Sequence, residues 1–202
     1  MKKILFILIA FVAFSSCEEI KKVQEAQEKR DAQKEYDELF EKAKASQQRS
    51  DTLYLGFRFG MSPKEVKSHF KKLIKEKVVS VDYLDRYTTE LTLKGGMKRN
   101  ATFRTEYYKD KLCELTLVFD GPSEYVFAFS AFKDANEGKK WKWIITEWLE
   151  NKSRYTMFNN NMVIEFTGLI DSYMSFIDAS LVDSLEIQKE LEEKEATGKF
   201  KL

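Results

Sequence analysis

The sequence predicts an α+β fold: an antiparallel sheet packed by short helices and preceded by a charged helical tether. Three observations predict it. Residues 18–50 contain neither Gly nor Pro and are rich in strong helix formers. From Val78 onward the periodicity changes to alternating, β-favouring runs separated by short polar turns. Between these regions, and again after Pro122, stand segments with helix-start signals and an apolar stripe.

In chain order, the charged segment 18–50 carries only a patchy apolar stripe, made of Val23, Ala26, Tyr36, Leu39, Phe40 and Ala43. It reads as a helical or flexible spacer, since these positions do not sustain the several heptads of a coiled coil. Ser62 caps a helix opened by Pro63, with Glu65 at the capping-box position. Val66, Phe70, Leu73 and Ile74 give that helix one apolar face, and Gly60 and Met61 form the turn that feeds it. Four strands are expected at Val78–Tyr83, Thr89–Lys94, Ala101–Tyr108 and Leu112–Phe119, with Phe103, Tyr107, Leu115 and Leu117 as core anchors. Arg104, Glu106, Glu114 and Thr116 are expected to face solvent. Cys113 is expected to share a buried face with Leu115, Leu117 and Phe119 as an inert thiol.

Asp120-Gly121-Pro122 ends this run, and Ser123 initiates a second helix whose face holds Tyr125, Phe129 and Phe132. A further helix is expected from about Lys140 to Asn151, with Trp141, Ile144, Ile145, Trp148 and Leu149 on one side. Strands at Tyr155–Phe158, Met162–Thr167 and Tyr173–Ile177 follow, then a polar helical tail. The implied organisation is 1–16 as a signal peptide, 17–50 as a spacer, 51–179 as the globular domain and 180–202 as a helical C-terminal extension.

The chain begins MKKILFILIAFVAFSSC: two lysines, an apolar run from Ile4 to Phe14, two serines and Cys17. A run of ~11 apolar residues is a secretory signal in kind, because a membrane-spanning helix needs roughly 20. The residues around Cys17 resemble the lipobox of bacterial lipoproteins, with Phe14 where Leu is usual. The resemblance implies acylation of Cys17, palmitate being the familiar chain, and cleavage before it. It implies an exported, outer-membrane-associated lipoprotein of the bacterial cell envelope, held to the membrane through its N-terminal lipid. The Gly60-Met61-Ser62-Pro63-Lys64-Glu65-Val66 segment followed by aromatic-rich strands resembles small assembly lipoproteins and β-lactamase-inhibitor-like α/β modules. That resemblance implies protein recognition or envelope assembly through a sheet face or loops. A second helix-to-strand unit from Ser123 to Ile177 echoes the first, without a second Gly-Met-Ser turn.

Composition narrows the function classes. A formal net charge of +1 supplies no global attraction for nucleic acid. The lysines at 71, 72, 75 and 77, and at 139, 140 and 142, alternate with acidic or apolar residues, as a solvated surface does. The single histidine, His69, lies in no metal-ligand or triad spacing, and neither Asp82 with Asp85 nor Asp110 with Glu114 comes with a nucleophile and base. No enzyme, metal or cofactor is therefore expected. The leading expectation is a lipoprotein that binds or scaffolds another envelope protein, with Tyr83, Tyr107, Tyr108, Trp141 and Trp143 as candidate contacts. The alternative is binding of a lipid, peptide or glycan in an aromatic-lined cleft formed by Trp141, Trp143 and Trp148.

Overall fold

A computed structural model describes residues 2–92, 96–139, 141–149, 152–168, 170–184 and 189, with the backbone alone for 2–20, 147–149 and 152. Helix α1 (Lys2–Lys44) comes first, and helix α2 (Pro63–Lys75) precedes four strands: β1 (Ser80–Val81), β2 (Tyr87–Thr92), β3 (Lys98–Tyr108) and β4 (Lys111–Phe119). Helix α3 (Glu124–Ala135) then precedes another four: β5 (Lys142–Leu149), β6 (Lys152–Asn159), β7 (Met162–Gly168) and β8 (Ser172–Asp178). All eight strands form one antiparallel sheet in the order β1-β2-β3-β4-β8-β7-β6-β5. Helices α2 and α3 are thus each followed by a four-stranded meander. The two meanders meet along their last strands, from Glu114 opposite Ile177 to Phe119 opposite Ser172.

Local chemistry accounts for the joints. The Ser62 hydroxyl accepts from the Glu65 N–H, while the Ser62 N–H donates to the Glu65 carboxylate at 2.7 Å, completing the capping box. Lys109 and Asp110 both take positive φ, 48° and 58°, as the two central residues of a tight hairpin turn with the twist of the flanking strands must. Gly60, at φ 82°, lets the turn before α2 reach β4, where the Gly60 N–H donates to the Leu112 carbonyl at 2.9 Å. Ser123 stands at the N-terminus of α3 as expected, but its side chain makes no capping hydrogen bond.

One face of the sheet carries the main core. Phe70 of α2 stacks on Tyr87 and meets Phe103 edge-on, and Phe129 of α3 meets Phe166 edge-on. Between them lie Leu115, Leu117, Met174 and Phe176. A bulge opposite Glu106 and Tyr107 leaves Cys113 without a register partner. Cys113 consequently stands outside the cluster that holds Leu112, Leu115, Leu117 and Phe119, which corrects the expected shared face. It is buried all the same, and burial pushes its thiol up to about 11. Thr116, expected in solvent, is buried too, because β4 is central to the sheet and covered on both faces; its hydroxyl bonds to Ser175 and Glu114.

The opposite face receives α1. Its last turns do not stand clear of the domain: Tyr36, Ala43, Leu39 and Phe40 pack on Ile144, Phe158, Val163 and Ala179. The C-terminal half of the patchy stripe, Tyr36 to Ala43, is a docking face for β5–β7, while Val23 and Ala26 stay exposed. Tyr36 also donates its hydroxyl to Glu165 Oε1 at 2.8 Å and lies under the Arg154 guanidinium, 3.9 Å from ring centre. Burial raises Glu165 above the ordinary carboxylate range, against the lowering pull of Arg154 and the Tyr36 hydroxyl.

The helix expected at 140–151 is a strand. Trp143 and Ile145 are exposed while Ile144 and Thr146 are buried, the alternation of a β-strand. The apolar positions fit a helical face in sequence, but the adjacent β-branched Ile144, Ile145 and Thr146 favour the pleat, and β6 supplies a partner in register. Beyond β8, Asp178 caps a 3-10 turn (Ala179–Leu181), and most of the expected C-terminal helix lies outside the described residues. Among the described residues no helix is long and apolar enough to cross a membrane.

Candidate ligand cleft along helix α3

Helix α3 is seated by one side and open on another. Tyr125 and Phe129 anchor it, with Phe129 4.6 Å from the Tyr155 ring centre. Gly168 makes the seat: a Cβ there would collide with the Tyr125 ring and lie 2.7 Å from the Pro122 carbonyl oxygen. Ala128, Ala131 and Ala135 recur at helical spacing on a neighbouring side and leave space beside the helix.

Facing that space is the segment before α2. Leu53 donates to the Phe57 carbonyl at 2.8 Å, and Thr52 bridges Arg58, so residues 52–58 close into a loop with Leu53 and Phe57 buried. His69 supports this loop, with Nε2 2.9 Å from the Leu55 carbonyl oxygen and its ring edge-on to Phe57. The imidazole thus has a structural role here. The preceding residues are tied to the β6–β7 turn. Arg49 spans Asp51, Ser180 and the buried Asp178, the last at 2.6 Å. Asn161, fully buried, donates to Asp178 and accepts from the Ser50 N–H.

Three adjoining hollows run along the helix, the first two between it and the loop. The first, about 220 Å³, lies between α3 and β2, lined by Leu91, Ala128, Ala131, Ala135 and Met174. The second, about 470 Å³, adjoins it at Tyr54 and Phe132 and reaches Arg49, Asn136, Lys139 and Trp141, with Ile164 and Phe176 as its floor. The third, about 220 Å³, shares Asn136, Lys139 and Trp141 with the second and ends at Trp143. Burial raises the Tyr54 hydroxyl above its usual pKa, so this wall is a neutral phenol. Lys139 donates to Asn136 Oδ1 at 2.6 Å with its ammonium 5.0 Å from the Trp141 ring centre; Lys133 stacks on Trp143 at 3.8 Å.

The five aromatic candidates are not gathered on one surface. Trp141 and Trp143 line the cleft, and Trp143 is 45% exposed. Tyr83, 90% exposed, projects from the β1–β2 turn, which Asp82 shapes by accepting from the Leu84 and Arg86 N–H groups. Tyr107 and Tyr108 sit at the β3–β4 hairpin; Tyr107 packs on the core, and Lys109 lies over Tyr108. The side chains of Trp148 and Cys17 lie outside the described residues. Tyr54, Phe132 and the alanine side of α3 are the cleft residues that sequence reasoning did not assign to a site. The signal for the last was on the page: Ala128, Ala131 and Ala135 share one helical side.

Neither acidic pair is assembled into a site. Asp82 is consumed by its turn and Arg86, Asp110 is a hairpin residue, and Glu114 accepts from Thr116. Among the described residues no group of three His, Cys, Asp or Glu side chains could hold a metal ion. No family model matches the chain, and comparison with curated proteins and with solved structures finds no match.

Proposed function

We propose that this chain is a non-catalytic binding protein of the bacterial cell envelope that takes a lipid, peptide or glycan into the cleft along α3. One observation carries the reading: three hollows adjoin along α3, two of them facing the loop at 52–58, and each is lined in part by aromatic side chains. A concave apolar site with a few fixed polar groups is what small-ligand recognition requires. Tyr54, Phe132 and Trp141 supply the apolar surface, and Asn136 and Lys139 the polar groups. Attachment through an acylated Cys17 belongs to the same proposal and rests on the sequence around that residue.

The test is native mass spectrometry of the full chain purified from membranes in mild detergent. A co-purifying small ligand, retained by the wild type and lost in Ala131→Trp, is the expected result. Retention of the same ligand by A131W defeats the cleft. Cys17→Ala is expected to release the protein from the membrane fraction, and unchanged attachment defeats the anchor.

A second reading, docking of another envelope protein, is favoured by the tip of the β1–β2 turn, where Val81, Tyr83 and Leu84 are all exposed. The resemblance at residues 60–66 to assembly lipoproteins supports it, since such modules recognise proteins through loops or a sheet face. Tyr83→Ser with Leu84→Ser would abolish that docking and leave cleft binding intact.

A further inference from the structure

The cleft is not uniform along its length, and its two ends ask for different chemistry. At the β2 end the walls are Leu91, Ala128, Ala131, Ala135 and Met174. The one carboxylate at that rim, Glu90, is neutralised by Lys98 at 2.7 Å. The Tyr54 hydroxyl is engaged with Thr89. A peptide laid there would bury backbone N–H and C=O groups against methyl groups, and a sugar would bury hydroxyls, each at a cost of about 1–3 kcal/mol per unpaired group. An alkyl chain incurs no such cost.

The middle of the cleft is the reverse. Arg49 is already matched by Asp51 and Asp178. Lys139 is not: among the described residues it forms no ion pair, and its contacts are the neutral Asn136 Oδ1 and the face of Trp141. Lys133, stacked on Trp143, stands in the adjoining hollow. An ammonium beside an apolar wall, with an amide next to it, is a site for an anion. Asn136 and Lys139 line both the second and the third hollow, whereas the acids Asp134 and Glu137 line the third alone, so the anion site faces the second.

We propose that the occupant is a single-chain amphiphile with a carboxylate head, a medium-chain fatty acid being the simplest case, its tail in the alanine-lined end and its head at Lys139 and Asn136. This deepens the cleft reading above and rests on it.

The test uses the full chain carrying Cys17→Ala, which keeps the protein's own acyl group out of the assay, and isothermal calorimetry with decanoate, 1-decanol and maltoheptaose as probes. Decanoate is expected to bind, decanol at least tenfold more weakly, and maltoheptaose not at all. Lys139→Gln is expected to bring decanoate to the level of decanol. Ala131→Trp, which fills the apolar end, is expected to abolish both; circular dichroism checks that it folds, and K139Q, an exposed change, tests the head independently. Equal binding of decanoate and decanol would overturn the anionic head. Binding of maltoheptaose alone, sensitive to A131W, would overturn the amphiphile while leaving the cleft as a binding site. Decanoate binding that neither variant disturbs would place the ligand elsewhere and overturn both readings. So would the absence of binding by all three probes together with a co-purified ligand insensitive to A131W.

Discussion

Replacing Tyr36 by Phe removes one oxygen from the seam between α1 and the sheet and leaves the ring packed on Phe40 and Phe158. That oxygen donates to Glu165 at 2.8 Å, and the cationic partner of Glu165, Arg154, is 3.8 Å away. A hydrogen bond to a charged group contributes roughly 1.5–3 kcal/mol, so Tyr36→Phe should cost about 2 kcal/mol wherever Glu165 is ionised in the folded chain. The cost should depend on pH in a defined direction. Burial holds the folded-state pKa of Glu165 above its unfolded value, so the folded chain binds this proton more tightly. Stability from this group is therefore highest below the unfolded glutamate value, near ~4.3, and declines as pH rises through the raised folded value. Removing the hydroxyl raises the folded pKa further, because the Tyr36 bond favours the charged form. The loss in Y36F should then grow with pH as Glu165 ionises in the folded chain, from about 1 kcal/mol or less near pH 4, where the acid is largely protonated in both states, to its full size at pH 9. Urea unfolding followed by tryptophan fluorescence at the two pH values measures it. Equal losses at both, or none at pH 9, would show that α1 is held by its apolar contacts alone and that Glu165 has no part in docking.

Three other expectations follow from single sites. Gly168→Ala forces a methyl group into Tyr125 and the Pro122 carbonyl, so α3 must shift; a loss of about 1–3 kcal/mol should appear in thermal melts, together with weakened ligand binding in the cleft. Ser62→Ala removes the acceptor at the start of α2 and should cost about 1 kcal/mol, with Ser62→Thr recovering most of it in the same denaturation assay. Cys113, buried and with its thiol raised to about 11, should resist iodoacetamide at pH 8 in the folded Cys17→Ala chain and react fully in denaturant. Rapid labelling of the native protein would mean that β4 opens far more readily than its central position implies.

Legibility varied with the range of the interactions that decide each element. The capping box of α2 needs only Ser62, Pro63 and Glu65, and the β3–β4 turn only Lys109 and Asp110; both were readable because the determining atoms lie within a few residues. The strand at 142–149 was not, since Trp141, Ile144, Ile145 and Trp148 satisfy a helical stripe, and it is the ladder to β6 that selects the pleat. The cleft was half legible. Its tryptophans stood out by size, but Tyr54 enters only because residues 52–58 fold back opposite α3, and no local pattern carries that approach.

The amino-acid sequence by itself determined the α+β class and the places of α2, α3 and seven of the eight strands, because capping, turn and alternation preferences act between near neighbours. Tertiary structure alone decided that two four-stranded meanders join through β4 and β8, that α1 lies on the sheet through Tyr36 and Phe40, and that a cleft opens beside the alanines of α3. Those outcomes depend on residues more than fifty positions apart, such as Leu117 and Met174 or Tyr36 and Glu165, meeting only once the sheet has formed.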